Sequence, residues 1–92
     1  IEGLKFSKAV YIITEKPEEI AGMIMEDLDR GATGINVKGM YSGQDKLMLF
    51  VVVNKKEIVM LKEKVDEIDP QAFVIVTDAR EVHGEGFIEK NR

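Results

Sequence analysis

The sequence contains no cysteine and no tryptophan, and it has two prolines and one histidine among its 92 residues. Without cysteine the chain can form no disulfide and has no thiolate for catalysis or metal binding. His83 alone cannot build a multi-histidine metal site, and every other ligand would be a carboxylate. We therefore predict no metal site and no cofactor.

Long apolar runs and an excess of positive charge are also missing. The longest apolar run extends from Leu47 to Val53, far short of the ~20 residues that cross a bilayer. With 13 basic and 17 acidic side chains the net charge is -4, so the basic footprint typical of nucleic-acid binding is absent and we predict no nucleic-acid partner. Hydrophobic residues at 45% and charged residues at 33% are typical of one soluble globular domain.

Apolar periodicity predicts four strands and two helices. Alternating Thr33, Ile35 and Val37 are typical of an edge strand, and the unbroken apolar run at 47–53 favours a central one. The first helix is expected to begin at Pro17 and to stop at Gly31. The second should follow a capping box of Asn54 and Glu57 and end at Asp69-Pro70, and the remaining predicted strands are 8–14 and 72–77.

The resulting strand-helix-strand-strand-helix-strand order predicts an α+β, ferredoxin-like βαββαβ domain: a four-stranded antiparallel sheet with two helices on one face. The RNA-recognition motif shares this order, but the stretch from Asp45 to Phe50 lacks its basic, glycine and aromatic signature. Neither Ser7 nor Ser42 lies in a nucleophile elbow, so we predict no catalytic residues and no enzyme activity.

Both faces of the central strands are apolar. We expect Tyr11 and Phe50 to lie on the face that the two helices leave uncovered. Strands that are apolar on both sides normally have both sides buried, so this face predicts self-association or docking onto a part of the protein outside this chain. The alternative is that the two rings are tolerated at the surface.

Two segments carry the candidate binding residues. In the first, Gly39 and Gly43 could bring backbone N–H groups to an anion beside Lys46, although a hairpin requiring positive φ explains the same glycines. Tyr41 could stack on a flat ligand ring or pack against a neighbouring subunit. In the second, Arg80 or His83 could hold a phosphate, and a solvated tail is the simpler interpretation.

Three stretches resemble one family: Ser7 to Ile20, Thr33 to Lys46 and Ile68 to Phe87. Together they are similar to the C-terminal cytoplasmic domain of YitT-type bacterial membrane proteins, domain of unknown function 2179, and Ile1 to Leu4 resembles the linker after the last membrane helix. The resemblance implies a linker at 1–7, a domain at 8–87 and a tail at 88–92. The sequence departs from the family pattern at Asn36 and Val37, where Asp-Gly is usual, and it has Ser42 where Thr is common.

The family is distantly similar to the PII signalling proteins, trimers that bind small effectors between subunits. This likeness implies a binding site around 39–46 that the tail completes. Its residues would be Gly39, Tyr41, Ser42, Gly43, Lys46, Arg80, His83, Gly84, Glu85, Gly86 and Phe87.

We therefore expect a regulatory or ligand-sensing domain on the cytoplasmic side of a bacterial membrane, cut from a longer chain because it begins at Ile1 without Met. Its expected partners are a second or third copy of itself, the transmembrane part of its own protein and a small anionic or nucleotide-like effector. The alternative is a non-enzymatic oligomerisation module without a ligand.

Overall fold

Four strands and two helices follow one another in the predicted order. A computed structural model describes residues 7–83. Its elements are β1 (Ser7–Ile13), α1 (Pro17–Asp27), β2 (Thr33–Lys38), β3 (Asp45–Asn54), a 3₁₀ turn (Lys55–Glu57), α2 (Ile58–Ile68) and β4 (Phe73–Ala79). The strands form one antiparallel sheet of order β2-β3-β1-β4. The predicted α+β, ferredoxin-like class is confirmed.

Both helices pack on the same face of the sheet. Every second residue of the two central strands points to them, as the period of a strand requires. The core that results consists of Val10, Ile12, Ile20, Met23, Ile24, Leu28, Leu49, Val51, Val53, Leu61 and Val65. Neither helix within the described residues is long and apolar enough to cross a membrane.

The two helices start as the sequence predicts, but the first ends early. Pro17 opens α1, and the Asn54 and Glu57 capping box opens the 3₁₀ turn that leads into α2. The prediction that Gly31 stops α1 is wrong, since the helix ends at Asp27 and the left-handed residue is Asp29, with a φ of 56°. Aspartate tolerates this region better than most residues, so the glycine is not required there.

The ends of the strands differ from the predicted ones by one or two residues. β3 continues outward to Asp45, which pairs with Lys38, because backbone pairing in a hairpin persists up to the turn whatever the side chains are. β1 begins at Ser7, which was predicted to belong to the linker, and β4 continues past its predicted end at residue 77 to Ala79. Asp78 forms an ion pair with Lys8, its cross-strand partner on β1.

Candidate functional site

The face of the sheet away from the helices, the open face, is apolar across all four strands. Cross-strand partners share a face, so the register places Tyr11 beside Phe50 on one side and Ile75 on the other. The Tyr11 and Phe50 ring centroids lie 5.0 Å apart at an interplanar angle of 49°. Its apolar and threonine residues are Ala9, Tyr11, Ile13, Thr33, Ile35, Val37, Met48, Phe50, Val52, Phe73, Ile75 and Thr77, and the one charged side chain among the paired residues of this face is Lys46, opposite Val37.

Strand β2 has its apolar side chains on the open face and not on the side toward the helices. Its apolar alternation, Thr33, Ile35 and Val37, lies on the open face because Thr33 pairs with Phe50 and Ile35 with Met48. Its other side, toward the helix layer, is Gly34, Asn36 and Lys38. An edge strand that served only the helix-covered core would show the reverse pattern, so β2 is apolar where only a second molecule or segment could bury it.

The connection between β2 and β3, residues 39–44, is a turn with its own hydrogen bonds. Gly39 N donates to Gln44 O at 2.8 Å and Gly43 N donates to Gly39 O at 2.7 Å, while Gln44 N donates to Ser42 Oγ at 3.2 Å. Gly43 has a φ of +75°, a region that favours glycine. The hairpin interpretation of the two glycines therefore accounts for Gly43.

The tip of this turn presents two large side chains to solvent. Met40 is 87% exposed and Tyr41 105% exposed, so the described chain covers neither of them. A side chain at Gly39 would place its Cβ 3.1 Å from Ser42 Oγ, which indicates that the base of the turn is closely packed. The turn thus holds an uncovered aromatic ring on a braced backbone.

Lys46, predicted to supply positive charge to this loop, is paired with an acid. Its Nζ lies 3.4 Å from Glu15 Oε2, and its side chain is 27% exposed. The charge beside the loop is therefore partly neutralised within the chain, and an incoming anion would compete with Glu15. Because Glu15 itself is largely exposed, this exposed ion pair contributes little stability and can open.

The two predicted groups of binding residues lie at opposite ends of the sheet. The loop is flanked by Lys38 and Asp45, which lie beyond the end of β1 at Ile13. Arg80 follows Ala79, which pairs with Ser7 at the other end of β1. Six residues of strand at ~3.3 Å each separate these ends by ~20 Å. Arg80 and His83 are exposed, and the predicted site residues 84–87 lie outside the described range.

A buried carboxylate that the sequence reading missed lies at the loop end of the sheet. Asp69 is 8% exposed and accepts hydrogen bonds from Thr14 Oγ1 at 2.6 Å, Gln71 N at 3.1 Å and Glu15 N at 3.2 Å. It therefore ties the turn after α2 to the turn after β1. In the sequence, the proline after Asp69 indicates only the end of a helix, and no local pattern links Asp69 to Thr14.

These bonds lower the pKa of Asp69. The Thr14 hydroxyl is the largest cause, burial opposes it, and the N–H groups of Gln71 and Glu15 and the charge of Lys16 act with the hydroxyl. The pKa of Asp78 is lowered as well, by its hydrogen bond and ion pair with Lys8. Among the described residues, no group of three or more His, Cys, Asp or Glu could hold a metal ion.

We predict that Asp69→Asn lowers the melting temperature near neutral pH and flattens its fall in acid. A carboxylate whose pKa is depressed by folding stabilises the native state above the ordinary value of 3.8, and that contribution is lost as the pH falls toward the lower folded pKa. Melting curves recorded between about pH 7 and pH 2 measure both effects. Asp66→Asn, on the exposed side of α2, is the control, and an equal response in both variants would contradict the role of Asp69.

The fold identifies the class of domain. CutA1 from Ehrlichia chaffeensis, described as a divalent ion tolerance protein, has a TM-score of 0.67 at 14% identity over 90% of each chain. Arabidopsis thaliana PII bound to citrate has a TM-score of 0.63 at 19% identity over 80% of this chain and 77% of that one. At these identities the likeness shows a shared PII-like, ferredoxin-like fold.

The family is shown by closer relatives. The model of the family described as "Uncharacterized protein conserved in bacteria (DUF2179)" matches residues 30–84. The DUF2179 structure from Eubacterium ventriosum has a TM-score of 0.68 at 31% identity, covering 77% of this chain and 97% of that one. This chain belongs to the DUF2179 family, as its motifs predicted.

Several of the relatives are membrane proteins. The UPF0750 membrane protein YxkD of Bacillus subtilis is 47% identical over 89 residues, which make up 97% of this chain and 32% of YxkD. The membrane protein YitT of the same organism is 32% identical over 73 residues, 79% of this chain and 26% of YitT. The chain thus spans about a third of the length of these relatives, and it matches a part of a membrane protein.

Proposed function

We propose that this chain is the regulatory, non-enzymatic domain of a bacterial membrane protein, that it lies on the cytoplasmic side, and that it binds a small anionic or nucleotide-like effector at the β2–β3 loop. The observation that carries the proposal is Tyr41, an uncovered aromatic ring on a turn braced by its own hydrogen bonds. A ring held in this way can stack on a flat ligand without first ordering the backbone, which reduces the entropic cost of binding.

The effector would bind between two chains. Tyr41 and Arg80 are attached to opposite ends of the sheet, ~20 Å apart, so one small molecule cannot contact both in one chain. The partner subunit's Arg80 could approach the loop and supply the positive charge that Lys46 shares with Glu15. The PII structure bound to citrate supports an anionic ligand and makes citrate the first compound to test.

We predict that an effector raises the melting temperature of the chain in a thermal-shift screen of nucleotides, cyclic dinucleotides and metabolite anions including citrate. A ligand that binds only the native state at 100 times its Kd should raise it by roughly 10–20 °C. Tyr41→Ala removes the ring and Lys46→Ala the cation, so both should abolish the rise. Met40→Ala, at an equally uncovered position on the same turn, should retain it.

The screen can also refute the site. If an effector is found and both Tyr41→Ala and Lys46→Ala bind it with unchanged affinity, the β2–β3 loop is not where it binds. If no compound raises the melting temperature, the alternative function is favoured: an oligomerisation module that holds membrane subunits together without a ligand.

The open face is the specific observation that favours this alternative. Its four strands, ~4.8 Å apart and ~20 Å long, cover about 400 Å² in projection, and protruding side chains raise the accessible area toward the ~800 Å² that each partner buries in an ordinary interface. We therefore propose that copies of the chain associate through this face, whether or not a ligand binds.

Association can be measured by light scattering at several protein concentrations. Phe50→Asp places a charge in the middle of the open face and should abolish association through this face, because an unpaired charge cannot be buried cheaply. Val59→Asp, at a 64% exposed site on α2, is the matched control and should leave the mass unchanged. A wild-type chain that stays monomeric at high concentration would overturn association of the isolated domain.

A further inference from the structure

The outer edge of β4 is a second surface that could accept another chain. The strand order β2-β3-β1-β4 leaves β4 paired only with β1 among the described residues. Its seven residues, Phe73–Ala79, contain no proline, glycine or lysine, and Phe73 is 64% exposed. An unpaired strand of this length and composition presents a row of free backbone N–H and C=O groups to a partner strand.

The other edge of the same sheet carries features that discourage pairing. β2 contains Gly34, and glycine weakens a strand because it has no side chain to pack. The strand ends in Lys38, a residue type that protects edge strands. β4 has none of these devices, so the two edges of the sheet are not equivalent.

The one charge on β4 is already satisfied inside the chain. Asp78 forms an ion pair with Lys8 on β1, the strand on the side away from the free edge. The Asp78 carboxylate therefore has its counter-charge within the chain and does not require one from a partner at the free edge. The remaining side chains, Phe73 to Thr77 and Ala79, are uncharged, so two copies of β4 would meet without repulsion between unpaired charges.

We propose that β4 pairs antiparallel with β4 of a second copy, centred on Val76, so that two four-stranded sheets join into one sheet of eight strands. This register keeps all seven residues of both strands paired, and any offset shortens the ladder. On the open face it sets Phe73 opposite the partner subunit's Ala79 and Ile75 opposite the partner subunit's Thr77. Each larger side chain meets a smaller one, as favourable cross-strand packing requires.

A second copy suits this edge because the strand complements itself in the reversed direction. Asp78 falls opposite the partner subunit's Val74, which avoids a pair of like charges. The joined sheet also extends the apolar open face over both copies. Edge pairing and association through the open face use different surfaces, so either can occur without the other.

Cross-linking tests the register directly, because the chain has no cysteine of its own. An equal mixture of Ile75→Cys and Thr77→Cys chains should form a disulfide-linked dimer under mild oxidation, since the proposed register sets these positions opposite each other. A mixture of Ile35→Cys and Thr33→Cys chains, on the open face at the β2 edge, is the matched control and should remain monomeric on a non-reducing gel. Equal cross-linking in both mixtures would overturn the proposal.

A second pair of variants separates edge pairing from stacking of open faces. Ile75 and Ile35 are 38% and 37% exposed on opposite edge strands, so Ile75→Lys and Ile35→Lys make the same chemical change. In chains that also carry Phe50→Asp, which blocks association through the open face, Ile75→Lys should weaken the remaining dimerisation at least about tenfold in sedimentation equilibrium, and Ile35→Lys should not. If chains with Phe50→Asp are already monomeric, association uses the open face alone. A cross-link between Ile35→Cys and Ile75→Cys chains indicates β2–β4 pairing, and either result overturns the β4–β4 proposal.

Discussion

Ile12→Ala is expected to lower the free energy of unfolding by about 2–5 kcal/mol. Ile12 is 0% exposed in the core cluster, and it lies on the central strand between Leu49 and Val74. Packed strands on both sides prevent the cavity from closing, which raises the cost above simple transfer of the lost atoms. The whole free energy of unfolding of a chain of this length is about 5–14 kcal/mol. Urea unfolding followed by circular dichroism should therefore show a large fall in the midpoint concentration.

The next residue in the chain is the matched control. Ile13 is the same residue type on the same strand, but it lies half-buried on the open face. Ile13→Ala should lower the free energy of unfolding by about 1 kcal/mol or less in dilute solution. The loss should be larger at high protein concentration if a second copy covers the open face. Equal losses for Ile12 and Ile13 in a dilute monomer would contradict the division of the sheet into a covered and an uncovered face.

The sequence predicted the fold because its signals are local and periodic. The run from Leu47 to Val53 alternates between the two faces as its register shows, and a period of two needs no tertiary information. The Asn54 and Glu57 capping box was recognised from a spacing of three residues, and both of its hydrogen bonds are present. Apolar residues on both faces also identified the uncovered side of the sheet.

The features that were missed depend on contacts between distant parts of the chain. Thr14 and Asp69 are 55 positions apart, and neither residue has a neighbour that signals the other. The sequence predicts that Lys46 adds positive charge to the loop, and nothing nearby in the sequence indicates Glu15, which folding brings within 3.4 Å. The sequence predicts Gly31 as the helix stop because glycine is common there, whereas the left-handed residue after α1 is Asp29.

The candidate site was predicted from resemblance, and its residues stay a prediction. The strand order already implied that a loop after β2 and a tail after β4 leave the sheet at opposite ends, since β2 and β4 run antiparallel to each other in a βαββαβ sheet. What the order does not give is the exposure of Tyr41 or the pairing of Lys46, because side-chain contacts depend on packing and not on topology.

Glu57→Ala is expected to lower the free energy of unfolding by about 2–4 kcal/mol, because one oxygen of the Glu57 carboxylate accepts hydrogen bonds from both Arg30 and Asn54. Glu57 Oε1 accepts from Arg30 Nε at 3.3 Å, from Arg30 Nη2 at 3.2 Å and from Asn54 N at 2.8 Å. The two side chains are only 17% and 20% exposed, so water replaces the lost bonds poorly. Alanine also removes half of the capping box. Chemical denaturation at neutral pH measures the loss.

Glu57→Gln separates the charge from the cap. Glutamine keeps an oxygen that can accept from Asn54 N, so the capping box survives, but its neutral amide weakens the attraction to Arg30. We expect this variant to lose about 1 kcal/mol, and Arg30→Ala to lose more than Glu57→Gln because it removes both guanidinium bonds. If Glu57→Gln were as destabilising as Glu57→Ala, the ion pair and not the cap would hold the start of α2 against the chain that follows α1.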